Sequence, residues 1–322
     1  MSVVTWSDVR AASERIEPHA HRTPVLRSTA IDRVAGAQVL FKCENFQKTG
    51  SFKFRGAFNT VASLSPEERE RGVYAHSSGN HAQALALAAH LHRIPAHIVM
   101  PEDSNPIKVA ATKGYGARVI HCPPTHQGRH ETAARIGGET GATFVHPHDD
   151  PRVIAGQGTA ALELIEDVGD LDVLLAPVGG GGLLSGTLIA AAHLLPDVRV
   201  IGCEPSGADD AYRSLRERRR IIDFTPHTIA DGLRTPLGEN TFSILCQHVD
   251  SIILVSEDEI VDAMRTVWER MKIVIEPSSA VAVAPLLREE FAGDRLRIGV
   301  ILSGGNVDPG PFFAELAAAA SA

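Results

Sequence analysis

The chain has 322 residues, 44% of them apolar, and a formal charge of −8, which together describe an ordinary soluble protein of one large or two medium domains. The acidic balance opposes a nucleic-acid partner, because no block of Lys and Arg resembles a phosphate-tracking surface. Cys43, Cys122, Cys203 and Cys246 are scattered without a CxxC pair, which excludes a zinc ribbon or disulfide scaffold and predicts reduced thiols in a cytoplasm.

The first segment, "MSVVTWSDVRAASERI", mixes acids with its apolar residues and does not read as a secretory signal. No stretch approaches membrane-spanning length. "KTGSFKFRGAFN" (48–59) then sets Lys53 between Phe52 and Phe54, just past a flexible Gly-Ser pair. Apolar neighbours strip water from an ammonium, lower its pKa and leave a nucleophilic neutral amine. The ordinary alternative is a lysine on the solvent side of a half-buried segment.

Next comes a repeated grammar of short apolar run, Gly/Ser turn and Ala/Leu-rich amphipathic stretch. It occurs in 72–92, 96–116 and 171–195, and "VRVIGCEP" (198–205) and "LRIGVILSGGN" (296–306) add strand-like runs. Strands alternating with helices predict an α/β fold, a doubly wound parallel sheet whose ligands lie beyond the carboxyl ends of the strands. Residues 72–149 read as a small domain inserted into a large one built from 1–71 plus 150–322. The alanine-rich tail reads as a frayed helix.

Three turns carry possible chemistry. "SSGNH" (77–81) offers donors suited to a carboxylate, or a plain helix cap. "VGGGGLLSG" (178–186) places Gly179, Gly180, Gly181 and Gly182 between a buried strand and a helix, a phosphate cradle at the positive end of the helix dipole. A dinucleotide fingerprint fits only in part: Gly180-x-Gly182 and Glu204 match, but the third glycine position is Ser185. No glycine precedes Lys-Ser/Thr, so a Walker loop is excluded. "LSGGN" (302–306) sets Ser303 at a strand end. The basic run "RERRR" (216–220) reads as the solvated end of a helix. A desolvated lysine, a glycine cradle and a Ser/Asn turn are the parts that pyridoxal phosphate needs.

From about Thr23 to Asp308 the chain resembles the β-family, fold type II, pyridoxal-phosphate enzymes: serine racemases, threonine/serine dehydratases and 3-hydroxyaspartate dehydratases. The resemblance rests on "FQKTGSFKFRGA", "SSGNHAQA", "VIAGQGT", "PVGGGGLLSG", "EPSGADD", "TIADGL", "WERMKIVIEPS" and "LSGGNVD". It implies doubly wound sheets in a large domain with an inserted smaller one, and a homodimer.

The resemblance also assigns roles. Lys53 is implied as the Schiff-base lysine, Gly179 to Gly182 as the phosphate site, Asn80 as the contact to the ring hydroxyl and Ser303 to the pyridine nitrogen. Ser77, Ser78, Gly79, Asn80 and His81 would hold the substrate α-carboxylate, and Ser78 is the second acid/base in the racemases. Glu204, the Ala208 carbonyl and Asp210 match a divalent metal loop whose hard oxygens suit Mg²⁺, Mn²⁺ or Ca²⁺; the alternative is that Asp209 and Asp210 cap the following helix. Arg129 falls where a second carboxylate could be gripped, and Arg234 and Thr235 could face the substrate side chain. His148 stands where racemases usually carry Asn.

The implied activity is β-elimination from a 3-hydroxy amino acid, such as serine, threonine or 3-hydroxyaspartate, to a 2-keto acid and ammonia. The alternatives are a racemase using Lys53 and Ser78 as opposed bases, a NAD-dependent dehydrogenase, and a binding protein that kept the fold.

Overall fold

The computed structural model describes residues 3–104, 106–288, 291 and 296–310, without the side chains of residues 107 and 126. The alanine-rich tail lies outside the described residues.

The described strands are β1 (Val25–Leu26), β2 (Gln38–Cys43), β3 (Val73–His76), β4 (Ala96–Pro101), β5 (Arg118–Cys122), β6 (Thr143–Phe144), β7 (Val173–Pro177), β8 (Arg199–Pro205), β9 (Ser251–Val255) and β10 (Arg297–Leu302). Six form a sheet in the order β1-β2-β10-β7-β8-β9, parallel except for the β1–β2 pair. The other four form a parallel sheet in the order β5-β4-β3-β6.

The period-two alternation of strand side chains sorts the larger sheet's residues onto two faces. Val39, Phe41, Val173, Leu175, Ile201, Cys203, Ile298 and Val300 enter one core, beneath helices Thr29–Ala35 and Glu257–Met271. Leu40, Leu174, Ala176, Val200 and Ile301 enter the other, beneath helices Trp6–Ile16, Pro151–Val168, Gly182–Leu194 and Glu239–His248. Both faces are therefore covered, as near-continuous apolar runs in parallel strands require.

The smaller sheet repeats this arrangement. Val73, Ala75, Ile98 and Met100 meet Phe54, Ala57 and Phe58 of helix Lys53–Ala62 and Leu85 of helix Asn80–His92. Val99 and Cys122 meet Ala133 and Ile136 of helix His126–Thr140 on the opposite face. Helix Lys53–Ala62 precedes the smaller sheet in sequence yet buries its apolar side in that sheet's core.

The basic run behaves as expected. Helix Asp210–Glu217 ends at Arg218, in left-handed conformation (φ 50°), with Arg219 paired to Glu217. Cations at a helix C-terminus complement its dipole. Among the described residues the cysteines form no disulfide, and Cys43, Cys122 and Cys203 are buried. No described helix is long and apolar enough to cross a membrane.

Candidate active site

The carboxyl ends of β3, β7 and β10 each lead into one of the three turns. Lys53 opens helix Lys53–Ala62, and its Nζ donates to the Pro147 carbonyl at 2.8 Å. The Phe52 ring lies 5.0 Å from this nitrogen, whereas Phe54 is fully buried in the smaller sheet's core. Successive helical residues diverge by about 100°, so only one of the two flanking rings serves the lysine. Desolvation lowers the Lys53 pKa to about 8, and the nearby Glu276 carboxylate partly opposes the shift. More neutral amine therefore exists near neutrality than an ordinary lysine carries.

The "LSGGN" turn reaches Lys53 from the opposite end of the sequence. Gly304 bridges to Ser51, the Ser303 carbonyl accepts from Phe52 N at 3.0 Å, and Gly305 N donates to the Gly50 carbonyl at 2.9 Å. Ser303 is thereby buried beside the start of the lysine helix.

In "SSGNH", helix Asn80–His92 starts after Gly79 with no side-chain cap. The plain-cap alternative is therefore not what the chain adopts; Ala82 N donates to the Gly79 carbonyl at 3.1 Å, which leaves the N–H groups of Asn80 and His81 at the positive helix end. A Cβ placed on Gly79 would meet nothing within 4 Å, so the turn faces open space. Ser77 Oγ accepts from Gly79 N at 3.3 Å, while Ser78 makes no hydrogen bond within the described fold. His81 is turned inward: its ring Nε2 donates to the Val145 carbonyl at 3.0 Å, and burial holds its pKa at about 3.

The tetraglycine loop is shaped by its neighbours. A Cβ on Gly180 would enter the His148 ring, one on Gly182 would come 2.8 Å from the His148 carbonyl, and one on Gly179 would come 2.8 Å from Leu233 Cα. Gly181 adopts φ +87°, a conformation that favours glycine. Close approach thus accounts for every glycine of the run, and it brings the loop against His148, the residue that follows the Lys53 partner Pro147. Burial, then His146 and Lys53, push His148 well below its usual pKa, so a neutral imidazole covers the loop.

Two features escaped the sequence reading. Glu276 is buried, and its carboxylate accepts from Asn80 Nδ2 at 2.9 and 3.0 Å and from Asn306 N at 3.2 Å. Burial raises its pKa to about 7. Its only signal was an acid at the end of the apolar run "IVIEPS". The second feature is a buried ion cluster beneath the lysine helix. Arg55 pairs with Glu44 at 2.7 and 2.8 Å and with Glu163 at 2.7 and 2.8 Å, and Lys42 joins Glu163 at 2.7 Å. Burial works against the Arg55 charge, but the two carboxylates hold its pKa above the ordinary value.

The family model described as "Pyridoxal-phosphate dependent enzyme" matches residues 16–304. The chain belongs to that family. It is 50% identical over 312 residues to a serine racemase of Dictyostelium discoideum, covering 96% of each chain. It is 49% identical over 310 residues to a beta-hydroxyaspartate dehydratase of Paracoccus denitrificans, covering 96% of this chain and 98% of that one. The solved structure of maize serine racemase superposes with a TM-score of 0.96 at 42% identity, covering 99% and 98% of the two chains. The α/β architecture is that of fold type II pyridoxal-phosphate enzymes.

The residues present fit this family's cofactor: a desolvated amine at Lys53, a glycine turn opening a helix, and open space above Gly79. Other expected positions lie further out. Arg129 is exposed near the start of helix His126–Thr140, and Thr235 is exposed. Arg234 gives Nε and Nη2 to the Thr228 carbonyl at 3.0 and 2.6 Å.

The expected metal residues stand together at the end of β8. Glu204 Oε1 and Oε2 accept from Ala211 N at 2.8 Å and Tyr212 N at 2.9 Å, so Glu204, rather than Asp209 or Asp210, caps helix Asp210–Glu217. Asp210 Oδ2 accepts from Leu237 N at 3.3 Å, while its buried Oδ1 has no partner. Burial raises both carboxylates, Asp210 to about 7 and Glu204 well above its ordinary value. Among the described residues no three His, Cys, Asp or Glu side chains form a metal-holding group. The two carboxylates are hard oxygen donors of the kind such a cation takes, and Asp210 Oδ1 is the one oxygen of the pair that is buried without a partner.

Proposed function

We propose that the protein removes water from a 3-hydroxy amino acid, of the serine, threonine or 3-hydroxyaspartate type, to give a 2-keto acid and ammonia. The observation that carries this reading is the Lys53 amine, desolvated to a pKa of about 8 where the three turns converge. Pyridoxal phosphate, when bound, supplies an electron sink that stabilises negative charge at the substrate Cα. Gly179, Gly180, Gly181 and Gly182 hold its phosphate with the first-turn N–H groups of helix Gly182–Leu194. Asn80 would meet its ring hydroxyl and Ser303 its ring nitrogen.

The turn Ser77–His81 holds the substrate α-carboxylate through N–H groups above the open space at Gly79. Lys53 takes the Cα proton, and the β-hydroxyl leaves with a proton as water. The enamine released then takes up water and expels ammonia, leaving the 2-keto acid. Arg129 grips a second carboxylate where the substrate has one, and Thr235 faces the side chain.

The likeness to serine racemases, together with the half-buried Ser78 in the turn at Gly79, favours one further reading, a racemase activity alongside elimination. An assay with L-serine, L-threonine and L-threo-3-hydroxyaspartate, following keto acid, ammonia and D-isomer together, tests both. Keto acid with matching ammonia is the expected product, and its absence for every substrate would refute the lyase reading. Ser78→Ala is expected to remove any D-serine formation by about 10²-fold or more while sparing elimination. Equal loss of both would make Ser78 a carboxylate ligand instead.

Glu204, the Ala208 carbonyl and Asp210 are the proposed site for Mg²⁺, Mn²⁺ or Ca²⁺. A hundredfold excess over Kd adds about 2.7 kcal/mol to stability, so Mg²⁺ is expected to raise Tm by roughly 5 °C. Asp210→Asn should abolish that rise, and an unchanged rise would place the cation elsewhere.

A homodimer is proposed from the exposed Phe46, Val274 and Trp268, of which Phe46 and Val274 are drawn together by the bond from Asn45 Nδ2 to the Val274 carbonyl at 3.1 Å. Sedimentation at twice 34.4 kDa is the expected result, and a 34.4 kDa species throughout would exclude it. Part of the same proposal are a division into a body of 1–71 plus 150–322 with an inserted lobe of 72–149, onto whose sheet helix Lys53–Ala62 of the body packs, and a reducing cytoplasmic setting suited to cysteines that form no disulfide.

A further inference from the structure

Burying a carboxylate without a salt bridge is costly unless hydrogen bonds repay the desolvation. Glu276 is 4% exposed and stands just before the short helix Pro277–Ala280. Its partners in place of a cation are Asn80 Nδ2, reaching both carboxylate oxygens, and the Asn306 backbone N–H. Asn306 closes the circuit: its Nδ2 donates to Asn80 Oδ1 at 2.9 Å and to the Thr49 carbonyl at 2.7 Å. The fit is tight, since a Cβ on Gly304 would come 2.8 Å from Glu276 Oε1.

These bonds have a direction. In its ionised form Glu276 only accepts, so there the Asn80 amide turns its NH2 toward Glu276 and its oxygen toward Asn306, the arrangement the bonds above show. The flipped amide would set oxygen against carboxylate oxygen and NH2 against NH2. One N–H shared by the two carboxylate oxygens leaves the second N–H free to donate elsewhere.

We propose that Glu276 is a positioning residue that locks the Asn80 amide, so that Asn80 presents an N–H rather than a carbonyl to the cofactor's ring hydroxyl. This rests on the reading above that Asn80 meets that group. Glu276 then acts through Asn80 and not through its charge on Lys53, and the two routes make opposite predictions in a double-mutant cycle.

The experiment measures the dissociation constant of pyridoxal phosphate by absorbance, on holoenzyme dialysed against a series of cofactor concentrations. Glu276→Gln has an amide that faces either way, and it is expected to weaken binding about tenfold. Asn80→Ala should weaken it to a similar degree, and the double variant no further than Asn80→Ala alone. Glu276→Asp, which keeps the acceptor, should bind more tightly than Glu276→Gln; this comparison also separates lost orientation from general damage to the fold. Wild-type affinity in Glu276→Gln, or a Glu276→Gln effect fully retained in the Asn80→Ala background, would overturn the inference alone. A wild-type protein that binds no pyridoxal phosphate would instead overturn the reading of the site on which it depends.

Discussion

Lys53→Ala is expected to leave a folded protein with no measurable turnover and no absorbance from a covalently held cofactor. The loss should be at least about 10⁴-fold, the scale seen when a group that acts as both attachment point and base is removed. The fold should survive because the lysine's single hydrogen bond goes to the Pro147 carbonyl, while the helix it opens is anchored by Phe54, Ala57 and Phe58. Wild-type protein offers a second readout. Reaction of Lys53 with an amine-directed reagent should rise as pH increases through about 8, because desolvation lowers the pKa and deprotonation frees the nucleophile. A yellow, active Lys53→Ala protein would remove the basis of the whole mechanism.

The second large effect concerns stability. Glu44→Leu removes one of two carboxylates from the fully buried Arg55 and leaves an uncompensated positive charge among Arg55 and Lys42. Breaking such a group is expected to cost about 3–5 kcal/mol, read as a fall in the urea midpoint at unchanged slope. A cost under about 1 kcal/mol would show that water or a neighbouring acid replaces Glu44. The cluster also holds the register of the lysine helix, since Glu44 follows β2 and Glu163 lies on helix Pro151–Val168. Activity in Glu44→Leu should therefore fall even at temperatures where the protein stays folded.

The parallel strands and their Gly/Ser turns were legible in sequence because apolar runs bounded by glycine leave few alternatives. Lys53, Asn80 and the glycine run stood out as candidates for the same reason, and the structure places each at a strand end or a helix start. Glu276 was not, because its meaning comes from Asn80 and Asn306, residues 196 and 30 positions away. Arg55 and Glu163 are likewise 108 positions apart. Charges that neutralise one another across a core leave no local pattern. The aromatic flanks of Lys53 misled in part, since helical geometry sends Phe54 away from the amine. The "EPSGADD" loop held a further surprise, with Glu204 rather than an Asp capping the next helix.

The position of β10 bears on how the protein is made. This strand is the last described in the chain, yet it lies inside the larger sheet, with Leu302 opposite Cys43 of β2 and Ile298 opposite Val173 of β7. During synthesis, β2 and β7 must therefore wait as open edges while more than a hundred residues follow β7. A nascent chain at that stage exposes two strand edges ready to pair wrongly, and it carries Lys53 without the "LSGGN" turn that closes over it. Translation proceeds at about 5–20 residues per second, so this half-built state lasts for many seconds. Shielding by a chaperone would matter most in that interval, and completion of one strand both seals the sheet and assembles the pocket.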